Sequence, residues 1–306
     1  MSEVLSRSFA APEGRRGVLD AVKAYVALTK PRVIELLLVT TVPAMILADE
    51  GLPGIGLIVA VLVGGTLAAG GANTINCWLE RDRDKVMRRT RNRPLATGAV
   101  APTAALAFGL VLEVLAFALL WSTANLLAAS LALAAAVFYV GVYTIWLKPR
   151  TDQNIVIGGA AGAVPALVGW AAVTGDLAAP AWVLFALVFF WTPPHFWALA
   201  LRYRDDYAAA GIPMLPVVRG PQAATRQIFG YSLVVVATSF ALGLTTTVGP
   251  IYLVSAAALG CLFVGGAWQL VRNPDPVRAI RFFGFSNLYL AALFVAVAVD
   301  TLVRNA

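Results

Sequence analysis

Charge is scarce in this chain. Of its 306 residues 13% are Asp, Glu, Lys or Arg while 60% are hydrophobic, and the mean hydropathy is +0.80. A soluble domain carries roughly a quarter of its residues charged, so the bilayer is the solvent to reason in. There is one histidine, His195, and the two cysteines, Cys77 and Cys261, stand singly in apolar stretches. Their number and isolation exclude a disulfide framework and a zinc or iron site built from His and Cys, and both cysteines read as small buried filler. Strand-like alternation of polar and apolar residues is missing, which excludes a membrane-spanning β-barrel and leaves a helical bundle. The opening residues, MSEVLSRSFAAPEGRRG, lack the apolar core of a cleaved signal peptide, so the first span is expected to direct insertion.

What is present is a series of apolar stretches, each long enough to cross ~30 Å of hydrocarbon as a helix. Nine are expected, at 33–49, 54–79, 103–121, 124–147, 155–174, 180–201, 228–247, 250–271 and 282–302. The fold class is therefore all-α, a polytopic nine-helix bundle around a central cavity. An N-terminal tail over 1–32 precedes one membrane domain over 33–303, with two long loops at 80–102 and 202–226. Of the 23 Lys and Arg residues, all but Arg304 fall in the tail or in the loops after the second, fourth, sixth and eighth spans. The positive-inside rule makes that side cytoplasmic and points to a bacterial inner membrane. The net charge of +7 is thus an orientation signal, and no nucleic-acid partner is expected.

The polar chemistry concentrates where the second span runs into GGANTINCWLERDRDKVMRRTRNRPLATG. Asn76, Glu80 and Asp84 fall at i, i+4 and i+8, and each step of four drifts only ~40°, so the three share one helix face. Asn76 lies a turn inside the apolar stretch, where a polar side chain needs a reason. Seven Lys and Arg between Arg81 and Arg93 exceed the acids available to pair with them, leaving cations for an anion. Oxygen ligands backed by spare cations suit magnesium shared with a diphosphate. Set against this, a helix end reaching water simply becomes charged, with Glu80 and Asp84 paired to Arg83 or Arg88. Asp82 points away from Glu80 and reads as a salt-bridge partner.

A second acidic pair, Asp205 and Asp206, follows the sixth span in PPHFWALALRYRDDYAAAGIPMLP. Asp206 is the candidate to act from across a shared cavity, Asp205 being satisfied by Arg202 or Arg204. Arg202 joins Lys30, Arg89, Arg93, Tyr143 and Lys148 as candidate substrate contacts, with snorkelling to the membrane edge the plainer explanation for Lys30 and Lys148. His195 follows a Pro193-Pro194 break expected, like Pro165, to kink its helix; a lone histidine in an apolar run is more often packed than functional. Gly158 and Gly162 form a G-x-x-x-G expected to let helices approach closely.

The pattern Asn76-x3-Glu80-x3-Asp84, followed by Met87, Arg89, Thr90, Arg93, Pro94, Leu95 and Gly98, resembles the UbiA-type intramembrane prenyltransferases. LTKPRV at 28–33, YTIWLKPRTDQNIVIGG at 143–159 and the stretch 193–218 resemble the haem-modifying branch of that family, and the likeness runs from Tyr25 to the ninth span. The resemblance implies Mg²⁺ held by Asn76, Glu80, Asp84 and Asp206. It implies farnesyl diphosphate as donor and protoheme IX as acceptor, with His195 orienting the porphyrin or ligating its iron. A haem A synthase or terminal oxidase is the expected assembly partner. Glu80 stands where Asp is common in the family, and Asp206 is the one matched acid where many members have a spaced pair. Two other readings stay open: prenylation of an aromatic or quinone precursor, and a membrane transporter, which calls for deep acids such as Glu113.

Overall fold

Proline opens most of the helices. Pro31, Pro102, Pro180, Pro250 and Pro276 sit in first turns, where the missing N–H costs nothing and the fixed φ suits the helix. The computed structural model describes residues 17–306; the reading of the tail over 1–16 lies outside the described residues. Twelve helices follow in order: α1 (Val18–Thr29), α2 (Pro31–Asp49), α3 (Ile55–Val86), α4 (Pro102–Thr123), α5 (Leu126–Val137), α6 (Asn154–Thr174), α7 (Ala179–Arg202), α8 (Arg204–Ala209), α9 (Leu215–Val218), α10 (Gly220–Ala241), α11 (Pro250–Arg272) and α12 (Pro276–Arg304). A π-helical stretch, Phe138–Leu147, extends α5.

Among the described residues, eight helices are long and apolar enough to cross a membrane, and a shorter apolar helix, Val39–Asp49 within α2, falls on the remaining expected span. The protein is an integral membrane protein. The expected spans match these helices except that α3 runs on to Val86, α10 covers Gly220–Ala241 in place of 228–247, and α12 begins at Pro276. The loop expected to begin at residue 80 therefore starts after Val86. The loop expected over 202–226 is largely ordered as α8, α9 and the start of α10. Within the tail, α1 is a helix packed on α3.

The bundle has a centre and two wings. Helices α2, α6, α7 and α12 pack on one another, with α3, α4 and α5 on one side and α10 and α11 on the other. Burial follows that order: 61% of the most apolar stretch of α7 is buried and 56% of that of α6, against 28% for α4 and α11. Without a hydrophobic drive between helices in lipid, close approach depends on small residues. A Cβ on Gly158 would overlap the Tyr143 ring, and one on Gly159 would lie 3.0 Å from Thr192. Gly162, by contrast, faces open space, so the G-x-x-x-G works through its first glycine. Pro165, Pro193 and Pro194 lie inside helices that continue past them. Cys77 is buried as expected; Cys261 is exposed in an apolar groove between α10 and α11, so it is not buried filler.

Candidate active site

The end of α3 carries its acids into the bundle. Asn76, Glu80 and Asp84 are 1%, 4% and 3% exposed, so the shared face inferred from their spacing turns inward. Each meets a partner from elsewhere in the chain. The Asn76 amide oxygen accepts from Lys30 Nζ at 2.8 Å, and its nitrogen donates to Thr144 Oγ1 at 3.0 Å. Glu80 is ion-paired with Lys148. Arg93 Nη1 donates to both Asp84 oxygens, at 2.9 and 2.8 Å. These partners replace the Arg83 and Arg88 pairing that helical spacing alone suggests. Asp82 does point away, exposed and bonded to Lys85 at 3.0 Å.

Local backbone chemistry brings the cations in. Lys30 ends α1 in the left-handed region, φ +55°, and Pro31 starts α2 immediately after it. Only Glu50 shares a positive φ among the described non-glycine residues, and such backbone recurs where structure fixes a side chain for use. Thr144 and Lys148 come from the π-helical stretch, whose wider turn is marked by Lys148 N donating to Tyr143 O at 2.8 Å. Single π turns recur at functional sites, and here the extra residue per turn carries Lys148 round to Glu80. Tyr143 stacks on Tyr139 at 5.5 Å and lies 5.9 Å from Lys148.

Burial costs each cation solvation, and the acids decide the outcome. Desolvation lowers Lys30 to about 8, against the opposing pull of Glu80, with the Arg93 and Lys148 charges adding to the depression. For Lys148 burial acts the same way and is the largest single effect, but Glu80, Tyr143 and Tyr207 together outweigh it and the ammonium is raised above its ordinary range. Arg93 is likewise raised, burial being the largest single effect but Asp84, Cys77 and Glu80 together overcoming it. All three therefore remain cations near neutrality.

The second acidic segment meets the first. Asp206 on α8 accepts a hydrogen bond from the Arg89 backbone N–H at 3.2 Å, joining the loop after α3 to the segment after α7. The Arg89 and Arg202 guanidinium groups lie at the Tyr203 ring, each 5.8 Å from its centroid. Asp205 is exposed, 3.8 Å from Arg204. His195 sits apart from these pairs, buried on α7 between Trp191 and Phe283, with Nδ1 2.7 Å from Ser286 Oγ. Thr144 was not singled out from the sequence, although it lies in the quoted stretch 143–159; a threonine in an apolar run gives no signal until the π turn aims it. Ser286 was missed for the same reason.

The donor set is all oxygen: one amide and the carboxylates of Glu80, Asp84 and Asp206. Among the described residues no three His, Cys, Asp or Glu side chains gather closely enough to hold a metal unaided. The donors themselves are of the kind magnesium takes in ones or twos, with water and substrate phosphate oxygens completing its shell.

The UbiA prenyltransferase family profile matches residues 37–293. The chain belongs to the UbiA prenyltransferase family. A protein of Frankia alni named protoheme IX farnesyltransferase is 55% identical over 285 residues, covering 92% of this chain and 99% of that one. A Mycobacterium avium protein of the same name is 54% identical over 283 residues, covering 92% and 91%. Among solved structures, a digeranylgeranylglyceryl phosphate synthase superposes with TM-score 0.76 at 18% identity, over 92% of this chain and 99% of that one. A UbiA homologue from Archaeoglobus fulgidus, bound to GPP and Mg²⁺, superposes with TM-score 0.62 at 18% identity, over 90% and 99%. Both share the fold. Membership of a prenyltransferase family removes the transporter reading.

Proposed function

We propose that this enzyme transfers the farnesyl group of farnesyl diphosphate to a vinyl group of protoheme IX, forming the hydroxyethylfarnesyl substituent of haem O. Relatives carrying the name protoheme IX farnesyltransferase support this acceptor, since they match over nine-tenths of the chain at more than half identity. The observation that carries the chemistry is a one-to-one pairing at the inner end of the bundle. Lys30 holds Asn76, Lys148 holds Glu80, Arg93 holds Asp84, and the Arg89 backbone holds Asp206. Each proposed ligand is thus matched to a residue proposed to bind diphosphate.

Asn76, Glu80, Asp84 and Asp206 would hold Mg²⁺ on the donor. When bound, the metal would neutralise charge on the departing diphosphate. The cations change partners: Lys30, Lys148 and Arg93 turn from the α3 oxygens to the diphosphate, and Arg89 reaches it from the loop. They stabilise the charge that grows there as the C1–O bond breaks and diphosphate leaves with the electron pair. Apolar helices keep water from the allylic cation. The vinyl π electrons form the new bond to C1, and water then captures the porphyrin-side cation and loses a proton to give the hydroxyl. Tyr143, His195 and Arg202 are proposed acceptor-side contacts. No covalent nucleophile is required.

The positively charged ends support a cytoplasmic N-terminus and active-site loops in an inner membrane; reporter fusions at the α3–α4 and α4–α5 turns check this, the first reading cytoplasmic and the second not. Purified protein incubated with protoheme, farnesyl diphosphate and Mg²⁺ should yield a farnesylated, hydrated porphyrin by mass spectrometry. A prenylated phenol in its place, with haem unchanged, would redirect the acceptor assignment.

A further inference from the structure

A groove runs between α10 and α11, on the wing away from α3. It encloses about 680 Å³, within the ~300–1,000 Å³ of small-molecule sites. Its walls are apolar: Phe229, Val236 and Phe240 on α10 face Cys261, Gly265 and Trp268 on α11. Small residues shape it. At Gly260 the helices meet, since a Cβ there would lie 3.1 Å from Val236, whereas nothing lies within 4 Å of one on Gly265. Phe229 and Phe240 stand eleven positions apart on α10, which is ~16 Å of helix. That is about half of a ~30 Å hydrocarbon core, the depth of a single leaflet.

The groove stops at charge. Phe229 and Trp268 mark one end, their ring centroids 5.4 Å apart, in the position tryptophan takes at a membrane interface. About one turn further, each wall carries an arginine. Arg272 follows Trp268 on α11, its guanidinium 5.3 Å from the indole centroid. Arg226 precedes Phe229 by three residues on α10, the spacing that keeps it on the same helix face. Both are exposed, and neither is ion-paired among the described residues. The acid nearest Arg272 in sequence, Asp275, is engaged in capping α12, where it accepts from Arg278 N at 2.9 Å. Two unpaired guanidinium groups above an apolar channel suit a ligand with an anionic head and a long apolar tail. A second copy of this chain suits them poorly, because a two-fold interface sets one patch against itself and would oppose arginine to arginine.

We propose that this groove binds an anionic phospholipid, with one acyl chain lying along Gly265 and the phosphate held between Arg226 and Arg272. Guanidinium forks match phosphate oxygens in pairs, and the planar fork loses little freedom for each hydrogen bond it forms. The seated chain braces α10 against α11 over the stretch where Gly265 leaves space between them. The site is separate from the acids and cations of α3 and α8 and needs no assumption about donor or acceptor.

The test reads the lipid and the groove together. Delipidated full-length protein in neutral detergent is titrated with phosphatidylglycerol and with phosphatidylcholine of the same chains, and bound lipid is counted by native mass spectrometry. Alkylation of Cys261, exposed in the groove, is followed in parallel by peptide mass spectrometry; Cys77, 1% exposed, reports separately. Wild type should bind phosphatidylglycerol about 10- to 30-fold more tightly, the scale for two arginines at an anionic surface, and Cys261 should be protected as it binds. The double variant Arg226→Gln, Arg272→Gln should lose both the preference and the protection at those concentrations. Gly265→Leu, which fills the channel, should weaken binding of both lipids; should it fail to fold, Gly265→Ala takes its place with a smaller expected loss. Equal binding of the two lipids by wild type, a preference that survives in the double variant, or lipid binding unchanged by the Gly265 variant would overturn the proposal. So would protection of Cys261 by farnesyl diphosphate and not by phosphatidylglycerol, or by rising protein concentration without lipid, which would assign the groove to another ligand or to a second copy.

Discussion

Glu80 and Asp84 lie buried at the end of α3, each against a cation from another element, whereas on α8 Asp205 is exposed and Asp206 meets a backbone amide. Both segments are apolar helices running into acids interleaved with arginines, yet only the first sinks its carboxylates below the surface. A third environment sits at the opposite end of the bundle. There Asp300 on α12 accepts from Gly249 N at 2.6 Å and Tyr252 N at 3.1 Å, capping the start of α11. Paired with amides that cannot leave, Asp300 is structural. Paired with side chains that can, Glu80 and Asp84 are available to exchange partners. What distinguishes Glu80 and Asp84 from Asp300 is the mobility of the counter-charge, more than burial alone.

The comparison breaks first at α3. Glu80→Ala and Asp84→Ala should each lower turnover by about 10²–10³-fold, the scale for losing one preorganised electrostatic group, while the protein still inserts in the membrane. Near-normal turnover in purified Asp84→Ala would defeat the metal assignment. Asp206→Ala should cost less, about 10-fold, since it would hold the metal from α8 as the outlying member of the set while also anchoring the Arg89 backbone. A third expectation concerns pH. Burial holds the Lys30 ammonium at about 8, so this cation is present below that pH and lost above it. The KM for farnesyl diphosphate should therefore rise as pH passes about 8, and Lys30→Arg, which stays charged, should flatten the rise. Asp205→Ala, on an exposed side chain, should leave kcat/KM within about twofold of wild type.

Much of this was legible in the sequence because the relevant periodicities are local. Span positions follow from runs of apolar residues, and the common face of Asn76, Glu80 and Asp84 follows from steps of four along α3. The partners were not legible. Lys148 reaches Glu80 through a π turn that no residue pattern announces, and Lys30 reaches Asn76 through a left-handed backbone at a non-glycine residue. Helical spacing offered Arg83 and Arg88 as partners, and the long-range geometry chose others. The helix α1 was hidden in what reads as a polar tail, because its Val18, Leu19, Val22 and Val26 are exposed on one short segment. His195 was visible only as an isolated residue; its contact with Ser286, 91 positions away, has no local signature in the sequence.

The partner exchange at α3 is most directly tested by calorimetry of inorganic diphosphate binding, with and without Mg²⁺, on wild type and Glu80→Gln. If carboxylates and cations neutralise one another until both ligands arrive, wild type should bind diphosphate more tightly with Mg²⁺ by about tenfold or more, and Glu80→Gln should lose that gain. Equal Mg²⁺ dependence in the two proteins would contradict the account.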